Sequence, residues 1–281
     1  MAGETDKDSQ PVKKENVFIN DVNERKSEKM KRTLLIVTVC VVAVMMCLSL
    51  TACGGSDAYV IYSDNAFAPF EFLDEETNEY VGIDMELLAA IAEDQGFEYE
   101  VLNEGFAASM GAVQSGQADA MIAGMTITEE RAETFDFSEG YFEDGQILVA
   151  PEGSDITSWE DLSGKKLAVK SGTMGADYAT ANKDTYGYTL EVYEDSPTMY
   201  TAVSNGADAA CVEDYNVICW AIEQGEVKLV TVGDIVNPAY YGFAVKKGEN
   251  AELLEMFNAG LANIKASGQY DEILAKYGYG E

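Results

Sequence analysis

The 281-residue sequence contains no histidine. That excludes Ser-His-Asp and Cys-His catalysis, and zinc or copper sites built on imidazole. Basic residues are also scarce: 18 Lys and Arg stand against 50 Asp and Glu, for a formal net charge of −32. From Cys53 onward the imbalance is 10 basic against 43 acidic residues. Nucleic acid and anionic lipid surfaces are repelled by such a chain. Any enzyme built here would have carboxylates, tyrosines or Lys170 to work with. No phosphate loop is present, because no Gly-Lys-Ser/Thr follows Gly172-Thr173-Met174-Gly175. The acidic stretch Asp74 to Glu79 lacks the calcium-loop spacing and its glycine, and reads as a solvated hairpin tip.

What the chain does carry begins with Arg131, the only arginine after position 32. It ends the run Gly-Met-Thr-Ile-Thr-Glu-Glu-Arg at 124–131. A guanidinium is planar, stays charged and suits bidentate capture of a carboxylate. The other reading is an ion pair with Glu129, Glu133 or Asp136.

Residues 33–52 form an uncharged apolar run, preceded by Met30-Lys31-Arg32 and closed by Leu50-Thr51-Ala52-Cys53. A basic start, an apolar core and small residues before a cut describe a secretory signal over 30–52. The run is also long enough to span a membrane, so an uncleaved anchor is the alternative. The Leu-Thr-Ala-Cys ending resembles the lipobox of bacterial lipoproteins. That resemblance implies acylation of Cys53, a palmitate-type lipid anchor, and a tether over 53–57. Residues 1–29 are polar and without apolar periodicity, and are expected to be disordered or to precede a true start at Met30. Of the five cysteines, Cys40 and Cys47 fall in the signal. Cys211 and Cys219 remain for the folded part, expected as two thiols, with a disulfide as the alternative permitted by export.

From Tyr59 onward, strand and helix patterns alternate. Extended segments are expected at Tyr59–Tyr62, Tyr99–Leu102, Ala118–Ile122, Gln146–Ala150, Lys166–Lys170, Glu191–Tyr193, Asp208–Val212, Lys228–Val232 and Tyr241–Val245. Helices are expected at Gly82–Asp94, Ala107–Gln114, from Met174, Pro197–Ser204, Asn216–Gln224, about Ala251–Ala266 and Tyr270–Tyr277. Such alternation predicts α/β architecture with parallel sheets covered on both faces. Ser115-Gly-Gln-Ala-Asp-Ala120 and Ser204-Asn-Gly-Ala-Asp-Ala209 echo each other as helix, glycine turn and buried strand, which points to two similar lobes. Ligands in open α/β sheets collect at the carboxyl ends of strands. The loops at Gly124 and at Glu213-Asp214 lie at such ends.

Six segments in order carry a wider resemblance. They are Ser63 to Glu71 (SDNAFAPFE), Val81 to Met85 (VGIDM), Gly124 to Ser138 (GMTITEERAETFDFS), Leu162 to Lys165 (LSGK), Val169 to Thr173 (VKSGT) and Ser267 to Tyr270 (SGQY). Over about 58–279 the chain resembles the bacterial extracellular solute-binding proteins of family 3, which serve polar amino acid ABC transporters. The resemblance implies two Rossmann-like lobes joined by a two-strand hinge, a periplasmic binding protein-like fold of type II. Lobe 1 would comprise 58–149 plus 239–281 and lobe 2 150–238, with hinge candidates at Ala150-Pro151 and Pro238 to Tyr241. It further implies an extracytoplasmic, lipid-anchored monomer without cofactor or metal, closing on a free amino acid and recognised by permease subunits.

The same resemblance implies residue roles. Arg131, Thr126 and Thr173 would hold the ligand carboxylate, Thr173 standing before the helix from Met174, whose N-terminus favours anions. For both threonines the other reading is helix capping. Asp214 and the Gly124 carbonyl would hold the ammonium, with Glu213 as the alternative because the spacing shifts by one residue. Phe67 and Phe106 would form aromatic walls, with core packing as the other reading for Phe106. Asp64 and Lys170, an acceptor and a donor, would face a carboxamide, as in the glutamine-binding branch, or pair with each other. Met174 stands where that branch has a glycine. Trp159 and Trp220 are expected to pack in lobe 2. The competing functions are a dehydratase-type enzyme using Glu213 or Lys170, and a ligand-sensing module.

Overall fold

Apolar spacing places the first helix, α1 (Ile83–Gln95), against a sheet: Ile83, Leu87, Leu88 and Ile91 are all fully buried. Each such side chain contributes roughly 1.5–3 kcal/mol by leaving water. The helix stops at Gly96, whose φ of 73° is the left-handed cap that glycine adopts without strain. The structure, a computed structural model, describes residues 58–279. The proposed signal, Cys53 and the tether over 53–57 lie outside the described residues.

In the first lobe a five-stranded sheet has the order β5-β1-β6-β13-β7. Its strands are β1 (Tyr59–Ser63), β5 (Tyr99–Asn103), β6 (Ala120–Met121), β7 (Phe135–Phe137) and β13 (Ala244–Lys246). Besides α1, helices α2 (Phe106–Ser115), α6 (Ala251–Ser267) and α7 (Gln269–Lys276) belong here. A small sheet of β2 (Ala66–Phe67), β3 (Glu71–Asp74) and β4 (Glu79–Val81) turns at the expected acidic tip, where Asp74 accepts the Glu76 and Thr77 N–H groups.

The second lobe's sheet has the order β10-β9-β11-β8-β12. It consists of β8 (Phe142–Pro151), β9 (Lys166–Lys170), β10 (Thr189–Tyr193), β11 (Ala210–Asp214) and β12 (Leu229–Tyr241). Helices α3 (Met174–Tyr186), α4 (Ser196–Ser204) and α5 (Tyr215–Glu223) cover it. The two sequence echoes fold alike: α2 and α4 each end before a glycine of φ 75°, Gly116 and Gly206, and each leads to a buried strand.

Several expectations need correction. The sheets are mixed, not parallel: β13 runs antiparallel to β6 and β7, and β8 antiparallel to β11 and β12. A strand that crosses to the other lobe and another that returns must run in opposite senses. Trp159 packs on Tyr178 and Tyr186 of its own lobe, but Trp220 meets Tyr277 of the C-terminal segment. Cys211 and Cys219 are free thiols.

The strands β8 and β12 carry the chain between the lobes as one antiparallel ladder, from Phe142 opposite Tyr241 to Pro151 opposite Leu229. Phe142 and Tyr241 pack in the first lobe's core, whereas Ile147 and Leu148 pack in the second's. The crossing therefore precedes Ala150-Pro151, which lies inside the second sheet. On β12 it coincides with the expected segment near Tyr241, and the ladder shifts register on both sides of Val236.

One buried cluster anchors the loop after β6. Asp84 of α1 accepts the Gly124 N–H and the Tyr141 hydroxyl, each at 2.8 Å. Beside it, Glu71 is fully buried with neither carboxylate oxygen hydrogen-bonded. Burial, then the Asp84 charge, holds the Glu71 carboxyl well above the ordinary range. Burial also pushes Asp84 up to about 6, against the hydrogen bonds from Gly124 and Tyr141. A carboxyl raised in the folded state retains a proton that the unfolded chain releases. Its stabilisation is full below the unfolded value near 4 and is lost as pH rises through the folded one. For Asp84 the loss is about 3 kcal/mol. Glu71→Gln, neutral at every pH, should therefore narrow the difference in melting temperature between about pH 5 and about pH 8. Thermal unfolding at both values checks this, and an unchanged difference contradicts it.

Candidate functional site

The loops at the carboxyl ends of β1, β6, β9 and β11 meet between the lobes. Gly124 follows β6 with φ 54°, and an added Cβ would approach the Phe67 ring to 2.5 Å. Only glycine lets the aromatic wall lie this close.

Arg131 opens a short 3-10 turn (Arg131–Glu133), with its N–H donating to the Thr128 hydroxyl at 3.1 Å. Its side chain is buried, 9% exposed. Nη1 donates to the Thr126 carbonyl and Nη2 to the Gly172 carbonyl, both at 2.9 Å. The guanidinium thus reaches from the first lobe into the second. Its carbon stands 5.4 Å from the centre of the Phe106 ring, within cation–π range. The ion-pair alternative is not realised: among the described residues no salt bridge includes Arg131, and Asp136 is taken by Lys247 at 2.7 Å. Burial lowers the Arg131 pKa, and Asp177 and Asp214 oppose that effect.

Thr173 caps α3: its hydroxyl accepts the Ala176 N–H at 3.3 Å and donates to the Lys170 carbonyl at 2.8 Å. The capping role is thus real. It fixes the helix N-terminus beside Arg131, where the helix dipole favours an anion.

Lys170, at the end of β9, is 1% exposed and pairs with the fully buried Asp64 across the lobe boundary. The ammonium lies 4.6 Å from the centre of the Phe67 ring. Burial works against its charge, but Asp64 and Glu213 outweigh burial, and the pKa is raised.

Asp214 and Glu213 end β11, where strand alternation turns neighbouring side chains to opposite faces. Asp214 lines the cleft, accepting the Tyr241 hydroxyl at 2.5 Å and the Gln146 amide at 3.1 Å. Glu213 turns to the other side, accepting the Tyr200 hydroxyl at 2.8 Å and the Asp214 N–H at 3.0 Å. Burial raises both carboxyls.

Phe67, Phe106, Gly124, Thr126, Arg131, Lys170, Thr173 and Asp214 line one cavity, together with Ala123 and Met174. Asp64 stands behind Lys170, and Glu213 does not line the cavity. The cavity is contracted to about 10 Å³, room for about one water, so a larger ligand requires the lobes to part. A wider groove of about 670 Å³ runs along the lobe boundary near Asn65, Tyr200 and Val227, but Arg131, Lys170 and Asp214 do not line it. The chemistry points to the smaller pocket. Asp144, Gln146 and Tyr241, which surround Asp214, carry no local sequence signal, because the contacts join segments far apart in the chain.

Residues 59–280 match the family model described as bacterial extracellular solute-binding proteins, family 3. A probable histidine-binding protein of Neisseria gonorrhoeae is 32% identical over 246 residues, 82% of this chain and 91% of that protein. Substrate-binding domain 2 of Lactococcus lactis GlnP, solved in an open conformation, is 46% identical with a TM-score of 0.55, covering 79% of this chain and 96% of that one. An ancestral arginine-binding protein bound to glutamine is 36% identical with a TM-score of 0.73, covering 80% and 98%. The model match spans nearly the whole described region and the relatives span most of both chains: this chain belongs to the bacterial extracellular solute-binding proteins, family 3.

Proposed function

We propose that the chain captures a free polar amino acid, glutamine first among them, by closing its two lobes, and delivers it to an ABC importer. The observation that carries this reading is Arg131 bridging the lobes in the pocket that also holds Asp214. A guanidinium with the N-terminus of α3 beside it suits a carboxylate, and Asp214 with the Gly124 loop suits an ammonium. Phe67 and Phe106 exclude water around both groups. The two solved relatives support closure. The open-conformation domain superposes less well despite its higher identity, and the ligand-bound one superposes better.

Lys170 favours glutamine over the cationic side chains named for several relatives. A buried ammonium repels a second cation, whereas it donates to a carboxamide oxygen, with Asp64 behind it holding the ammonium charged. The family consists of solute-binding proteins, which removes the enzyme alternative. We further propose that Cys53 carries the lipid that holds the domain at the extracytoplasmic face of the membrane. Cys53→Ala should abolish incorporation of labelled palmitate into the protein, and unchanged incorporation would contradict this.

Calorimetric titration with L-glutamine tests the ligand reading. Arg131→Ala should weaken binding at least about 100-fold while the ligand-free melt stays cooperative. Retained affinity would return Arg131 to a structural role. Lys170→Met should reduce the preference for glutamine over arginine about tenfold or more, because Asp64 is then free to meet a cation. An unchanged ratio would remove Lys170 from specificity.

A further inference from the structure

Tyr241 lies on β12 where the two crossing strands pair, opposite Phe142, and is 1% exposed. Its hydroxyl stands between two carboxylates, 2.5 Å from Asp214 Oδ2 and 3.1 Å from Asp144 Oδ2. Asp144 belongs to β8, the other crossing strand, and also accepts the Gly145 N–H at 2.8 Å and the Asn216 N–H at 3.2 Å. One phenol has one proton to donate, so it cannot satisfy both carboxylates at once. The Asp214 carboxylate is thus held by a side chain from each crossing strand, Tyr241 from β12 and Gln146 from β8, and Asp144 competes for the same phenol.

We propose that Tyr241 is a positioning residue for the ligand's ammonium group: from the hinge its hydroxyl orients Asp214, and Asp144 shares that hydroxyl. The inference rests on the amino acid reading above and deepens it. It couples charge recognition in the pocket to the two strands about which the lobes turn.

A consequence in pH follows. On the ligand side Arg131 and Lys170 act on Asp214, and Tyr141 acts on the phenol. On the outer side Tyr215, Cys219 and Tyr279 sense the Asp144 charge. Burial first, then the Asp214 charge, pushes Asp144 up to about 7. An arriving ammonium offsets the Asp214 charge, which lowers the Asp144 pKa in the complex. Binding then releases a proton from Asp144, and affinity falls as pH drops below about 7.

Calorimetry with L-glutamine between about pH 5.5 and about pH 8, in buffers of different ionisation enthalpy, reads both effects. The wild-type chain should bind more tightly at the higher pH and release protons on binding. Tyr241→Phe keeps the ring beside Phe67, Phe70 and Phe142 and removes only the hydroxyl. It should weaken binding roughly 10- to 100-fold and move the pH profile upward, since both carboxyls lose a donor. Asp144→Asn should flatten the profile and reduce proton release. Wild-type affinity in Tyr241→Phe overturns the proposal. So does weaker binding with an unmoved profile, which a merely structural role would give. If Tyr241→Phe lacks a cooperative ligand-free melt, Asp144→Asn decides alone, and full proton release in that variant overturns the proposal. A wild-type chain that binds no amino acid at all would instead sink the functional reading on which this rests.

Discussion

A guanidinium cannot be buried without acceptors. Taking it out of water costs several kcal/mol unless hydrogen bonds replace those lost. Arg131 meets that demand with one carbonyl from each lobe, Thr126 and Gly172. Those bonds determine much of the surrounding arrangement. They set the spacing of the lobes at the cleft, keep the guanidinium beside Phe106, and bring the N-terminus of α3 to the same point. The second lobe-spanning cation, Lys170, follows the same rule with Asp64 as its partner. Both cations sit where a ligand can replace or share the protein acceptors, so closure and recognition use the same groups.

The scaffold supplies rigidity on either side and compliance between. Each lobe has its own apolar core and its own five-stranded sheet. The link is the β8–β12 ladder, whose register shifts fall beside Val236, near the crossing. Bulges of this kind loosen regular pairing and permit bending. Two carboxylates of β8 and β11, Asp144 and Asp214, meet at that link with Tyr241 between them. Buried acidic groups are concentrated there and beneath Gly124, in a chain already rich in negative charge. Their raised pKa values tie the fold and the proposed ligand chemistry to pH in opposite senses. The Glu71–Asp84 pair favours mildly acidic conditions for stability, whereas Asp144 favours higher pH for binding.

Much of this was legible in the sequence. Helical periodicity located α1 to within about a residue, because its buried face is a strict stripe. Six short segments in order were enough to indicate the family. The same segments brought Arg131, Thr126, Thr173, Gly124, Phe67 and Lys170 into one pocket. For the ammonium the sequence favoured Asp214 and kept Glu213 as the alternative, since the spacing shifts by one residue. Strand alternation settles which of the two faces the cleft. Antiparallel strands were missed because alternation of strand and helix says nothing of direction once a chain leaves a lobe and returns. Tyr241, Asp144 and Gln146 were invisible for a related reason. Their meaning lies in contacts between the two crossing strands and β11, which no local pattern encodes.

The most direct test of the account is a thermal-shift screen of residues 54–281, stripped of bound solute, against the common amino acids and cystine. A ligand that binds only the folded state raises the melting temperature by mass action. The account predicts a large shift with glutamine and a smaller one, or none, with arginine, lysine and histidine. No shift with any amino acid, or a larger shift with the cationic ones, would contradict it.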